Sequence, residues 1–88
     1  MAKHSINKIA WREVVWQRPY ELDQIYQLLA HLAVVTPRGS IVWESRSHGG
    51  YVKHYVGADT RYINKIENVV KVHGDIQLYP TEDHVRIP

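Results

Sequence analysis

Histidines are the residues of this chain with the most obvious capacity for chemistry, because imidazole binds metal ions and transfers protons near neutral pH. The 88-residue sequence has six of them and no cysteine, so a metal site would need imidazole and carboxylate ligands. There is no His-Glu-x-x-His motif, and no two histidines are four residues apart. We therefore expect no metal, no cofactor, and structural or simply exposed roles for these side chains. They are His4, His31, His48, His54, His73 and His84.

Nucleophilic catalysis would require a serine or similar group held beside a base. Ser45, Ser47 and His48 are close in sequence, next to Gly49 and Gly50. A serine beside a glycine turn usually makes local backbone hydrogen bonds, and the acidic residues are scattered rather than paired. We expect no catalytic residue and a protein that is not an enzyme.

Aromatic side chains recur around this glycine turn. Tyr51, Lys53 and Tyr55 alternate, so an extended chain would place all three on one face, where aromatic rings could stack nucleic-acid bases. The alternative is that Trp43, Tyr51 and Tyr55 pair across a hairpin as ordinary strand contacts. The candidate binding residues are Trp11, Trp16, Trp43, Tyr51, Lys53 and Tyr55.

The elements that would position these residues follow from the apolar periodicity. Residues 9–16 are rich in β-branched and aromatic side chains and predict a strand, β1, with Trp11 and Trp16 on opposite faces. After Pro19, apolar residues at steps of three and four predict an amphipathic helix, α1, of about four turns. They are Leu22, Ile25, Leu28, Leu29, Leu32 and Val35.

The second half of the chain repeats this order of elements. Residues 40–46 and 51–56 predict two strands, β2 and β3, joined by a tight glycine turn. Asp59 or Thr60 would cap the next helix, α2, and Gly74 would end it. Residues 75–79 alternate as a last strand, β4, which Pro80 closes. The apolar stripe of α2 is Ile63, Ile66, Val69 and Val70.

The order β-α-β-β-α-β predicts a ferredoxin-like α+β sandwich. Right-handed crossovers leave a gap in each β-α-β unit that a strand of the other unit fills. The sheet is then antiparallel and four-stranded, with order 4-1-3-2 and both helices on one face. We expect one domain over residues 9–80, a flexible N-terminus at 1–8, and a tail or the start of a linker at 81–88.

Composition narrows the function classes. The net charge of +2 is too small for a strong duplex binder, and the sequence has neither a secretory signal nor an apolar run of membrane-spanning length. We therefore expect no membrane insertion by this segment and a cytoplasmic location, with any membrane association made through parts absent from this chain. Acylphosphatases share the predicted topology but use a glycine-rich anion loop after the first strand. Residues 17–20, Gln-Arg-Pro-Tyr, contain no glycine.

The pattern as a whole resembles a domain that precedes the ATPase core in Gram-positive conjugative-transfer and type IV secretion proteins. The resemblance covers about residues 11–80 and is carried by Ile-Val-Trp-Glu at 41–44, Tyr-Val-x-x-Tyr-Val at 51–56, the small residues at 57–60 and His-Gly-Asp-Ile-Gln-Leu-Tyr-Pro at 73–80. There is no Walker motif, so no nucleotide-binding residue is implied. The resemblance implies an assembly role, docking such an ATPase onto neighbouring proteins or onto itself.

Three functions remain open at this point. The first is a non-catalytic module that binds a protein partner, or another copy of itself, through a sheet face or an edge strand. The second is a domain that binds single-stranded nucleic acid in the manner of RNA-recognition modules, although residues 49–56 match their consensus only loosely. The third is a small-ligand regulatory domain, suggested by Gly49, Gly50 and the helix start at 57–60.

Overall fold

The computed structural model describes residues 9–81, so the expectations for residues 1–8 and for 82–88 lie outside it. Neither helix in this range is long and apolar enough to cross a bilayer. A single 3₁₀ turn, Thr60–Tyr62, leads into the second helix. The elements are β1 Ile9–Trp16, α1 Leu22–Val35, β2 Ile41–His48, β3 Tyr51–Asp59, α2 Ile63–His73 and β4 Ile76–Thr81.

The four strands form one sheet in the order β2-β3-β1-β4, and every neighbouring pair is antiparallel. This confirms the predicted βαββαβ fold and the predicted strand order. The strands β1 and β3 are central, whereas β2 and β4 are the edges.

Both helices pack on one side of this sheet, which we call the covered face. Leu28 and Leu32 of α1 meet Val14 of β1 and Val56 of β3 in one buried cluster, together with Ile66 of α2. The other side, which we call the open face, consists of the odd-numbered residues of β1, β3 and β4 and the even-numbered residues of β2. No helix in residues 9–81 covers it.

Strand β3 is longer than predicted. Gly57, Ala58 and Asp59 continue the strand and pair with β1, so they do not form the loop expected before α2. Ala58 is buried in the core. The side chain of Asp59 caps the 3₁₀ turn by accepting a hydrogen bond from the backbone N–H of Arg61. Asp59 therefore caps the start of this helical segment as predicted, whereas Gly57 and Ala58 belong to the strand, and the small-ligand hypothesis stays a prediction.

Pro80 does not close β4. It lies inside the strand opposite Arg12, and the strand continues to Thr81. A proline is tolerated there because β4 is an edge strand, which has only one neighbour to bond.

Local signals set the helix ends largely as predicted. Glu21 and Gln24 form a capping box at the start of α1, and Gly74, at a φ of 84°, ends α2. Leu22 does not belong to the buried stripe, since it precedes the turn that contacts the sheet and is exposed.

Candidate functional site

The structure divides the six candidate binding residues between the two faces. Trp16 and Trp43 lie on the covered face and pack against the core, so they are not part of an accessible platform. The other four lie on the open face: Trp11, Tyr51, Lys53 and Tyr55.

The predicted aromatic pairing of Trp43 with Tyr51 and Tyr55 across the hairpin is wrong. Trp43 is opposite Val56, whereas Tyr55 is opposite Glu44. The two-residue turn pairs position 48 with position 51, so every odd residue of β2 opposes an even residue of β3. Tyr51 instead stacks on His48, with 6.0 Å between ring centroids.

Trp11 is on the central strand β1, and its indole ring lies flat on Gly57 of the other central strand, β3. A Cβ atom added at Gly57 would be 2.7 Å from Cε2 of Trp11, which no side chain could accept without moving the ring. The missing side chain of a central-strand glycine is thus replaced by an indole from the neighbouring strand. Only glycine fits at position 57 with Trp11 in this position.

Tyr55 and Lys53 are less available than an RNA-binding platform would require. Tyr55 is only 5% exposed, so its ring offers no open surface for a base. The ammonium group of Lys53 is 3.9 Å from a carboxylate oxygen of Glu13 on β1. Of the predicted stacking pair, Tyr51 alone is well exposed, at 58%.

The rest of the open face combines exposed apolar side chains with balanced charge. Val42 and Tyr79 are both more than two-fifths exposed, one on each edge strand. The same face carries two carboxylates, Glu13 and Glu44, on either side of Tyr55, and two cations, Arg46 and Lys53, opposite each other. The mixture suits a protein surface better than a polyanion, because the two carboxylates would repel phosphates.

A second cluster of functional groups lies at one end of the covered face, around His54. The imidazole Nε2 is 2.6 Å from the hydroxyl of Tyr20, and Nδ1 is 2.7 Å from Oγ of Ser45. The indole N–H of Trp43 donates to the same Ser45 oxygen at 3.1 Å, and Trp16 stacks on Tyr20 with ring centroids 4.5 Å apart. Burial lowers the pKa of His54, so the neutral ring is favoured.

This cluster contains a serine next to a base, and its hydrogen bonds give the imidazole and the serine hydroxyl a partner each. Both ring nitrogens of His54 are occupied, and the group that orients the ring is the hydroxyl of Tyr20 rather than a carboxylate. The oxygen of Ser45 accepts from Trp43, which reduces its basicity. The network satisfies a buried polar ring between aromatic side chains.

The structure also brings two histidines together across the helix pair. Nδ1 of His31 on α1 is 3.3 Å from Nε2 of His73 on α2. Burial, and then the charge of His31, lowers the pKa of His73. Within residues 9–81, no group of three or more histidine, aspartate or glutamate side chains is placed to hold a metal ion.

Sequence reasoning missed the partnership of Ser45 with His54, because it considered Ser45 only beside its sequence neighbours Ser47 and His48. The hairpin register contained the signal, because pairing 48 with 51 also places 45 opposite 54. Tyr20 could not be found in this way, since it lies in the loop after β1 and reaches His54 through tertiary packing.

Comparison with known proteins adds no assignment: no protein-family model, curated protein or solved structure matches this chain.

Proposed function

We propose that this domain is a non-catalytic assembly module that binds a protein partner through the open face of its sheet. One observation carries the proposal: Val42, Tyr51 and Tyr79 are exposed among balanced charges on the one sheet face that the two described helices leave uncovered. Aromatic residues within a polar surround are typical of protein interfaces.

The chemistry of the face indicates what kind of partner fits. Glu13 and Glu44 stand beside Arg46 and Lys53, so a partner with a strong field of either sign would meet repulsion. The matching surface is a near-neutral protein surface that carries exposed apolar side chains. The resemblance to the domain ahead of conjugative-transfer ATPases extends the proposal, and it makes the components of a type IV secretion apparatus the first partners to examine.

Site-specific photo-cross-linking tests this proposal. A photoreactive amino acid replaces Tyr51 on the open face or Tyr26 on the outer side of α1, which are 58% and 59% exposed and therefore matched. The cells that produce the protein are irradiated, and adducts are identified by mass spectrometry. We expect a discrete protein adduct from position 51 and none from position 26. The same adducts from both positions, or adducts from position 26 alone, would contradict the proposal.

Nucleic-acid binding is the competing outcome. If the open face stacks bases, Tyr51→Ala combined with Tyr55→Ala should reduce salt-sensitive binding of single-stranded oligonucleotides at least tenfold, on the order of the 1–3 kcal/mol known per stacked base. The burial of Tyr55 and the two carboxylates lead us to expect no such binding.

A further inference from the structure

The outer edge of β2 is the one long strand edge of residues 9–81 that carries no proline. Strand β2, Ile41–His48, is the last strand on its side of the sheet, and nothing in the described part of the chain pairs with its outer edge. The opposite edge, β4, is shorter and contains Pro80, which has no N–H to donate. An uninterrupted eight-residue edge is a template for another strand.

The hairpin turn determines which backbone groups of β2 point outward. Gly49 and Gly50 have φ values of 54° and 106°, as in a two-residue type I′ turn, so His48 and Tyr51 form the first hydrogen-bonded pair. Hydrogen-bonded and non-bonded pairs then alternate along the ladder. The residues of β2 that direct N–H and C=O to the outer edge are therefore Ile41, Trp43, Ser45 and Ser47.

We infer that β2 pairs with β2 of a second copy of this chain, antiparallel and with Ser45 opposite Ser45. The odd-numbered residues must oppose one another to form hydrogen bonds, which leaves a few registers two residues apart. With Ser45 on the two-fold axis, Glu44 of each copy lies opposite Arg46 of the other. Two opposite-charge pairs then form on the open face by symmetry.

The neighbouring registers are disfavoured by the same two side chains. A slide of two residues in one direction places Glu44 opposite Glu44, and a slide in the other direction places Arg46 opposite Arg46. Like charges directly opposite each other destabilise an antiparallel pair. The spacing of Glu44 and Arg46 on one face therefore favours this register over its two neighbours.

The arrangement within one copy also favours this pairing. Arg46 is opposite Lys53 of β3, which places two cations side by side in the hairpin. Glu13 contacts Lys53 on the inner side of this pair, and Glu44 of the second copy would add a carboxylate on its outer side.

The covered face leaves room for the second strand. A groove of about 480 Å³ lies between α1 and β2 and is lined by Leu29, Ala33, Ile41 and Trp43. In the inferred register, the side chain that arrives beside Trp43 is that of Ser47, which is small. The pairing closes the outer side of this apolar groove in both copies. It uses the edge rather than the open face, so it does not depend on the partner proposed above.

Charge reversal tests the register. We expect the full-length wild-type chain to dimerise in sedimentation equilibrium, and Glu44→Arg or Arg46→Glu to raise the dimer dissociation constant about tenfold, because each creates two like-charge pairs. The double variant Glu44→Arg with Arg46→Glu restores the opposition of charges, so it should dimerise within about threefold of wild type. A wild-type chain that stays monomeric at millimolar concentration, or a double variant as weak as the single ones, would overturn the inference.

Disulfide trapping gives a second readout, because the chain contains no cysteine of its own. Across a hydrogen-bonded pair the Cα atoms are about 5.5 Å apart, within disulfide range, so Ser45→Cys should form a covalent dimer on oxidation. Ser47→Cys is the matched control, because its two copies would be four residues out of register and about 14 Å apart. Equal trapping of both variants, or trapping of Ser47→Cys alone, would refute the register. Circular dichroism verifies that each variant is folded.

Discussion

The two faces of the sheet are built from the same strands but differ in what packs against them. On the covered face, Val14 and Val56 are buried by the leucines and isoleucines of two helices. On the open face, the Trp11 ring lies on Gly57, and Tyr55 is also buried. Within residues 9–81, two helices cover one face, whereas the other face carries exposed Tyr51 and Tyr79.

We therefore expect the residues of the covered face to determine stability and the exposed residues of the open face to serve binding. Residues between the helices and the sheet lose both apolar burial and packing when they are truncated, so their substitution should strongly destabilise the domain. The outermost side chains of the open face have little to lose in the isolated chain. They are therefore available for a partner without a cost to folding.

The largest expected effect comes from truncation beneath the helices. Leu28 is fully buried, so Leu28→Ala should lower the free energy of unfolding by about 3 kcal/mol through lost burial and a residual cavity. Val34 is on the same helix but 80% exposed, and Val34→Ala should cost less than about 0.5 kcal/mol. Urea denaturation measures both, and similar losses for the two would mean that α1 does not face the sheet as described.

The next effect tests the layer on the open face. Gly57→Ala places a methyl group against the Trp11 ring and should cost about 2 kcal/mol through overpacking. In a Trp11→Ala background the same substitution meets no indole and should cost at least about 1 kcal/mol less. A double-mutant cycle by urea denaturation measures this coupling. Additive effects of the two changes would show that the indole does not lie on Gly57.

A smaller effect is expected from pH at the end of the covered face. Burial lowers the pKa of His54 below its usual value of about 6.5, so the unfolded chain takes up this proton first as the pH falls. The neutral His54 ring therefore adds its full share to the free energy of unfolding above about pH 6.5. This share is lost as the pH falls toward the lower pKa of the folded chain. His73, whose pKa is also lowered, adds an effect of the same sign.

His54→Gln isolates this effect because glutamine keeps donor and acceptor groups near Tyr20 and Ser45. We expect the stability of this variant to decline less than that of wild type between about pH 7 and about pH 5. Urea midpoints across this range provide the measurement. An unchanged slope would mean that His54 does not titrate differently in the folded and unfolded chain.

The smallest effect on folding is expected at the exposed rim of the open face. Tyr51→Ala and Tyr79→Ala should each change the free energy of unfolding by less than about 0.5 kcal/mol, because both rings are largely solvated already. Thermal or urea denaturation measures this. A loss as large as that at Leu28 would mean that Tyr51 belongs to a core rather than to a docking surface.

The fold could be predicted from sequence because each element is determined by local signals. The leucine spacing of α1, the glycine pair at 49–50 and the C-terminal glycine of α2 each specify a structure within a few residues. The order of the strands then follows from the handedness of the crossovers. The main errors, the early end of β3 and of β4, arose where Gly57 and Pro80 were interpreted as breaks.

The candidate site was less predictable because side-chain contacts depend on register and on tertiary approach. The position of Trp43 on the covered face required the hairpin pairing, which the glycine turn does imply. The burial of Tyr55 and the stacking of Trp11 on Gly57 required knowledge of which strands are neighbours and how their side chains lie. No periodicity in the sequence encodes these contacts.

Comparison of Tyr51 with Tyr26 tests the central claim most directly. The protein captured from position 51 is purified, and its affinity for the wild-type chain, Tyr51→Ala and Tyr26→Ala is measured by calorimetry. The account predicts that Tyr51→Ala weakens binding at least about tenfold, or 1.4 kcal/mol, while Tyr26→Ala stays within about twofold of wild type. Weaker binding by Tyr26→Ala with unchanged binding by Tyr51→Ala would contradict it.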